Sequence, residues 1–272
     1  MPGIPLARLE ELAVEVATLA GRYVLERRPA GLTSTGTKSS TTDVVTVMDT
    51  AAEALIRAHL RRARPDDGLL GEEGARRSGS SGISWVVDPI DGTVNYLYAL
   101  PLYAVSVAAV EGNPQAAGWS PVVGAVCAPG HGLVWSAHRG GGARVRSLDG
   151  RAGPVRPVTV GSERDLAQAL VGTGFSYLPS VRTEQAQVLA RVLPRVRDIR
   201  RLGSAATDLC LVADGRLDAF YERCLNPWDL AAGWLIVTEA GGLVTGRDGG
   251  DPGADLVVAA NPALHPQLLA LL

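Results

Sequence analysis

An α/β fold laid down in two successive patterns is predicted by three observations on this 272-residue chain. Amphipathic helical spacing occupies the N-terminus, short apolar runs separated by glycine and proline turns fill the middle, and strands alternate with helices from about residue 155. The first helix is expected over Leu6–Arg28, where Leu9, Leu12, Val16, Leu19 and Tyr23 recur at three- and four-residue steps until Pro29-Ala30-Gly31 ends it. A Ser/Thr-rich loop follows over Thr33–Thr42, and Val44–Val47 is a short strand or the turn into the next helix. That helix takes Asp49 or Thr50 as its cap and runs to about Arg64, where Pro65-Asp66-Asp67-Gly68 stops it.

Leu69-Leu70 then leads as a strand into Gly71-Glu72-Glu73, and a Gly/Ser-rich loop covers Gly74–Gly82. Strands over Ile83–Val87, Tyr103–Val110, Val122–Cys127 and Leu133–Ala137, with turns between them, predict an antiparallel meander. Gly140-Gly141-Gly142 marks a tight turn into one more strand. The second pattern reads as strand Ala169–Thr173, helix Thr183–Val192, strand Asp198–Arg201, helix Ser204–Ala213, strand Leu217–Tyr221 and helix Pro227–Ala240. Strands at Leu243-Val244 and Leu256–Ala259 and a helix over Pro262–Leu271 complete the chain. No flexible linker separates the patterns, so halves 1–154 and 155–272 are expected to pack tightly and share one site.

Composition excludes several classes of function. Twenty-six basic against 28 acidic residues give a net charge of −2, without the basic surplus of a polyanion binder. Arg61-Arg62-Ala63-Arg64 and Arg200-Arg201 read as solvated helix faces. Three cysteines without a CxxC pair argue against a disulfide framework or zinc site, and Cys210 reads as a core thiol. No signal peptide and no apolar run of membrane-spanning length is found, so a cytoplasmic protein is expected. Lys38 is the single lysine of the chain.

Chemistry concentrates at Asp88-Pro89-Ile90-Asp91-Gly92-Thr93, where the buried strand Trp85-Val86-Val87 ends. Pro89 lacks an amide hydrogen and forces a turn that can aim both carboxylates at one point. A helical turn starting after Asp91 would present the Gly92 and Thr93 amides to a phosphate. Acids beside a phosphate repel it unless a hard cation intervenes, and magnesium matches an all-oxygen donor set. Glu72-Glu73 after a strand, Glu222 at a strand end and Asp229 in the first turn of an apolar helix could converge on the same edge. Each feature has an ordinary structural explanation: turn dipeptides, a solvated acidic pair, or an acid favourably placed on a helix dipole.

Taken together, Gly71-Glu72-Glu73, Trp85 to Tyr96 and Trp228-Asp229-Leu230-Ala231-Ala232-Gly233 with Thr238-Glu239-Ala240-Gly241-Gly242 resemble the signature segments of the inositol monophosphatase family. The resemblance extends in order through Lys38, Asp49, Arg139–Ala143, Thr173-Gly174-Phe175 and Gly203-Ser204-Ala205-Ala206, covering nearly the whole chain. It implies a layered αβαβα sandwich, two or three Mg2+ per site, lithium sensitivity and a homodimer. Glu72, Asp88 and the Ile90 carbonyl would bind one metal, and Asp88, Asp91 and Asp229 a second. A water activated by the cations would be the nucleophile, positioned by Thr93 with Asp49 behind it, and Glu72 would accept its proton. Lys38 falls on the family's loop lysine near the site. Asp91, Gly92 and Thr93 would contact the phosphate, and Glu222 with Gly203, Ser204 and Ala205 the substrate hydroxyls.

The substrate implied is a small phosphate monoester, with inositol monophosphate first and histidinol phosphate, fructose 1,6-bisphosphate or 3′-phosphoadenosine 5′-phosphate as same-fold rivals. A non-catalytic binding protein has no need for the intact acidic set. Two departures from the family pattern stand out: Cys224 where many relatives carry glycine, and a longer segment over Asn113–Ser120.

Overall fold

The computed structural model describes residues 5–37, 44–150 and 154–272. Lys38 and the second half of the Ser/Thr stretch, residues 38–42, lie outside the described residues, as do 151–153 beside the expected boundary between halves. Helix α1 (Leu6–Glu26) buries Leu9, Ala13, Val16, Ala17, Ala20 and Val24 along one stripe. Two short strands, β1 (Gly36–Thr37) and β2 (Val44–Val45), pair antiparallel.

Helix α2 (Val47–Ala63) begins earlier than the sequence suggests. Thr46 is its cap, and Asp49 reaches back from the third position to the Thr46 amide in a reciprocal capping box. Asp49 is thus a buried first-turn residue, and the valines before it conceal the start.

The chain then builds a sheet from β3 (Gly68–Gly71), β4 (Arg76–Arg77), β5 (Ile83–Asp91), β6 (Ala104–Glu111), β7 (Ser120–Ala128), β8 (Leu133–His138), β9 (Ala143–Ser147) and β10 (Arg156–Pro157). Their order is β10-β9-β8-β7-β6-β5-β3-β4, with the expected antiparallel meander from β5 to β9. The β3–β5 pair is parallel, so both strands end at the same edge. Helix α3 (Thr93–Leu97) follows β5 directly.

A smaller sheet holds β11 (Leu170–Thr173), β12 (Asp198–Arg200), β13 (Ala219–Glu222), β14 (Leu243–Thr245) and β15 (Val257–Ala260) in the order β12-β11-β13-β15-β14. Helices α4 (Pro179–Val192), α5 (Ala205–Ala213) and α6 (Pro227–Glu239) intervene, and α7 (His265–Leu269) follows the last strand. Helix α4 starts at Pro179, four residues before the expected Thr183, because proline suits a helix's first position. Helix α7 is shorter than predicted at its start, since Asn261 caps the turn before it through the Ala263 and Leu264 amides.

Three apolar clusters explain the layering. One lies between α1, α2 and the outer face of the large sheet. The next gathers Trp135, Val126, Leu209, Leu230, Ile236, Phe220 and Ala259, so α5 and α6 are sandwiched between the two sheets. The last covers the far face of the small sheet with α7. The result is an αβαβα sandwich in which a continuous core joins the strands before residue 150 to those after 170. Among the described residues, no helix is long and apolar enough to cross a membrane.

Candidate active site

Parallel pairing does the first step of assembly. Gly71 is in register with Val87, and the Glu72 amide donates to the Val87 carbonyl at 3.2 Å, so the side chains that follow, Glu72 and Asp88, emerge next to each other. Asp88 and Asp91 are three residues apart, which would send them to opposite faces of a regular strand. The ladder avoids this with a bulge. Asp88 pairs with Ser106 and Asp91 with Ala104, so three steps on β5 match two on β6, with Pro89 lacking a donor in between. Both carboxylates then reach one cleft.

Asp229 arrives from the first turn of α6, its carboxylate pinned by the Asn226 amide at 2.7 Å. Carboxylate oxygens of Asp88, Asp91 and Asp229 all lie within 4.8 Å of one another. Asp91 is oriented by the opening turn of α5, with the Ser204 hydroxyl and the Ala206 amide each donating to it at 2.7 Å. Ser204 is buried and its side chain is committed to Asp91 and Thr207; Gly203 and Ala205 line the cleft instead.

Thr93 opens α3 after Gly92, whose φ of +94° is the left-handed region. A Cβ at position 92 would meet the Gly203 carbonyl oxygen at 2.9 Å and that of Leu102 at 3.0 Å, so only glycine fits. The Thr93 hydroxyl lies 2.9 Å from Asp49 Oδ1 and 3.0 Å from the Ile90 carbonyl. Asp49 does not line the cleft; it stands behind Thr93, held through its other oxygen by the Thr46 amide.

At the far end, Thr173 is in register with Tyr221, which sets Gly174 beside Glu222. The Glu222 carboxylate lies so close to Gly174 that a Cβ there would overlap it. The cleft encloses about 330 Å³.

The electrostatics are those of too many acids in one place. Burial lifts Asp88 well above the usual carboxylate range, and the charges of Glu72, Asp91 and Asp229 push it further. Asp229 is raised by burial and then by Glu72 and Asp91. Asp91 is lifted by burial to about 6, against the Ser204 and Ala206 donors and Arg201. Glu222 is lifted by burial to about 8, with Arg201 opposing. This donor set fits a divalent cation: hard, anionic oxygens that relieve one another's repulsion once a positive charge sits among them.

Sequence reasoning missed three contributors. Arg201, read as part of a solvated helix face, follows β12 and lines the cleft; its neighbour Arg200 is a strand residue paired with Asp198. The segment Gly174 to Leu178 forms the opposite rim. Asp208 is a buried carboxylate with Oδ1 unpartnered and its pKa raised by burial and by Glu222. Arg201 alone carried a signal, as a cation just before the Gly203-Ser204 turn. Cys224, where family glycine was noted, has φ of +68° and lies at the cleft rim with its thiol exposed.

Residues 6–272 match the model of the inositol monophosphatase family. The inositol-1-monophosphatase of Mycobacterium leprae is 46% identical over 281 residues, covering 97% of this chain and 93% of that protein. A protein called Nus factor SuhB from Xylella fastidiosa is 38% identical over 88% of this chain and 82% of its own length. The solved structure of Mycobacterium tuberculosis SuhB superposes with a TM-score of 0.82 at 41% identity, over 99% of this chain and 97% of that one.

Proposed function

This chain belongs to the inositol monophosphatase family and is a phosphoric monoester hydrolase; from that premise we propose that it hydrolyses an inositol monophosphate with magnesium as its metal. The observation that carries the reading is the convergence of Asp88, Asp91 and Asp229 from a bulged strand and a helix start, with the Thr93–Asp49 pair beside them. Those three acids, with Glu72 and the Ile90 carbonyl, would hold two or three Mg2+. Bound there, magnesium supplies charge neutralisation for the phosphoryl oxygens and acidifies water.

The chain's own residues do the rest. With its proton given to Asp49, the Thr93 hydroxyl keeps lone pairs toward the cleft and orients the attacking water. Glu72 accepts that water's proton as the new P–O bond forms and the bond to the departing alcohol breaks. The Gly92 and Thr93 amides receive the charge building on the phosphoryl oxygens. Glu222 accepts hydrogen bonds from substrate hydroxyls next to Gly203 and Ala205, and the family resemblance gives Lys38 a part in catalysis.

Phosphate release is the test, measured on inositol monophosphates, histidinol phosphate, fructose 1,6-bisphosphate and 3′-phosphoadenosine 5′-phosphate, with and without magnesium and lithium. Preference for an inositol monophosphate, dependence on magnesium and inhibition by lithium are expected. Preference for a rival ester moves the substrate and keeps the metal chemistry, whereas turnover indifferent to magnesium overturns the metal reading. Sedimentation of the same sample is expected to give a homodimer.

A further inference from the structure

We infer a second anion site, separate from the catalytic cleft: a groove between α2 and the β3–β4 edge that takes a small phosphoanion. It encloses about 350 Å³, and Arg57, Arg61, Arg76 and Arg77 line it over a floor that includes Leu69 and Trp85. Arg57 and Arg61 are one helical turn apart on α2, so they face the same way. Arg76 and Arg77 come from β4, the last strand at that edge of the sheet.

No acidic side chain lines the groove. Two acids close by are already committed: Asp67 receives both arms of Arg64, the Ser81 hydroxyl and the Trp85 indole, and Glu53 receives the Glu73 and Ala75 amides. Arg77 donates to the Arg64 and Asp67 carbonyls. Arg57, Arg61 and Arg76 are exposed, and their side chains make no hydrogen bond or ion pair among the described residues. Several other surface arginines of this chain do have an acidic partner: Arg8 pairs with Glu11, Arg139 with Glu111, Arg156 with Asp214 and Arg247 with Asp255. Charges on an edge strand guard against unwanted strand pairing, which accounts for Arg76 and Arg77. It does not account for two further arginines reaching into the same hollow from a helix.

Like charges held together without a counterion are destabilising, and planar guanidinium forks match phosphate oxygens two at a time. The hollow has the size of a small ligand, and a chain of net charge −2 offers no extended basic track for a nucleic acid. The turn after β3 connects the two sites, with Glu72 in the cleft and Gly74 and Ala75 in the groove wall.

Calorimetric titration of the full chain with inorganic pyrophosphate, after dialysis free of divalent metal, tests the site. Without metal the cleft's acids disfavour phosphoanions, so binding reports the groove. We expect saturable binding that weakens at least tenfold in the R57Q/R61Q/R76Q variant, whose magnesium-dependent turnover stays within twofold of the parent. Absence of binding at millimolar pyrophosphate, or equal affinity in the variant, overturns the proposal. Binding only to vesicles containing phosphatidic acid, or only to an RNA oligonucleotide, overturns it as well, since the ligand would then not be a free small anion.

Discussion

Three residues along β5 separate two buried carboxylate environments with opposite character. At Trp85 the strand donates its indole to Asp67, which also takes two bonds from Arg64 at 2.8 Å and one from Ser81 at 2.7 Å. At Asp88 the same strand enters a group of acids, where burial and then the charges of its neighbours push its pKa well above the usual carboxylate range. Asp67 carries its counter-charge in Arg64, whereas the charged neighbours that shift Asp88 are themselves acids, and such a cluster could take its balance from a cation. A closed, satisfied carboxylate is part of the scaffold, and an unbalanced one is an invitation to a cation.

The sharpest break in that comparison is Asp88→Asn. Phosphate release should fall at least about a thousandfold, while the metal-free protein melts no lower, because a repelling charge has gone. A variant that melts well below the parent without metal would make Asp88 a scaffold residue like Asp67. Asp67→Ala should do the reverse, lowering stability by about 3 kcal/mol in denaturant titrations while the folded fraction keeps its specific activity, because Arg64 and the Trp85 indole lose their acceptor.

A smaller effect tests the shared protons. Asp91 is raised to about 6 and Glu222 to about 8. Between about pH 4 and 8 the folded, metal-free chain therefore binds protons that the unfolded chain has released, and stability falls as pH rises through that window. The melting temperature of metal-free protein should drop from pH 5 to pH 8, and magnesium should raise it more at pH 8 than at pH 5. A flat profile would mean that the acids do not interact. The smallest effect concerns the rim: Cys224→Gly should stabilise the chain by about 1 kcal/mol at most, relieving the left-handed backbone at the cost of a freer unfolded state.

How much of this was legible before the structure depended on range. The acids on β5 and α6 announced themselves because a proline-broken strand end and an Asn-Pro-x-Asp helix start are local patterns with local causes. The strands of the large and the small sheet were visible for the same reason, as a glycine-punctuated meander and then an alternation. Thr46 was hidden because a β-branched residue after two valines reads as strand, although its side chain and that of Asp49 form a capping box. Arg201 was hidden because an arginine pair looks solvated until β12 and α5 bring it to the cleft beside Asp91. Contacts such as Glu10 with Ser136 and His138, more than a hundred residues apart, leave no mark in any window of sequence.

Cys127 and Cys210 are sealed in the core, with burial pushing the Cys127 thiol up to about 12, while Cys224 is exposed at the cleft rim. A maleimide dye added to the native protein would therefore attach at one place. The label would stand at the rim of the acidic cleft, and its fluorescence would let the chain, with no substitution, report what enters that cleft.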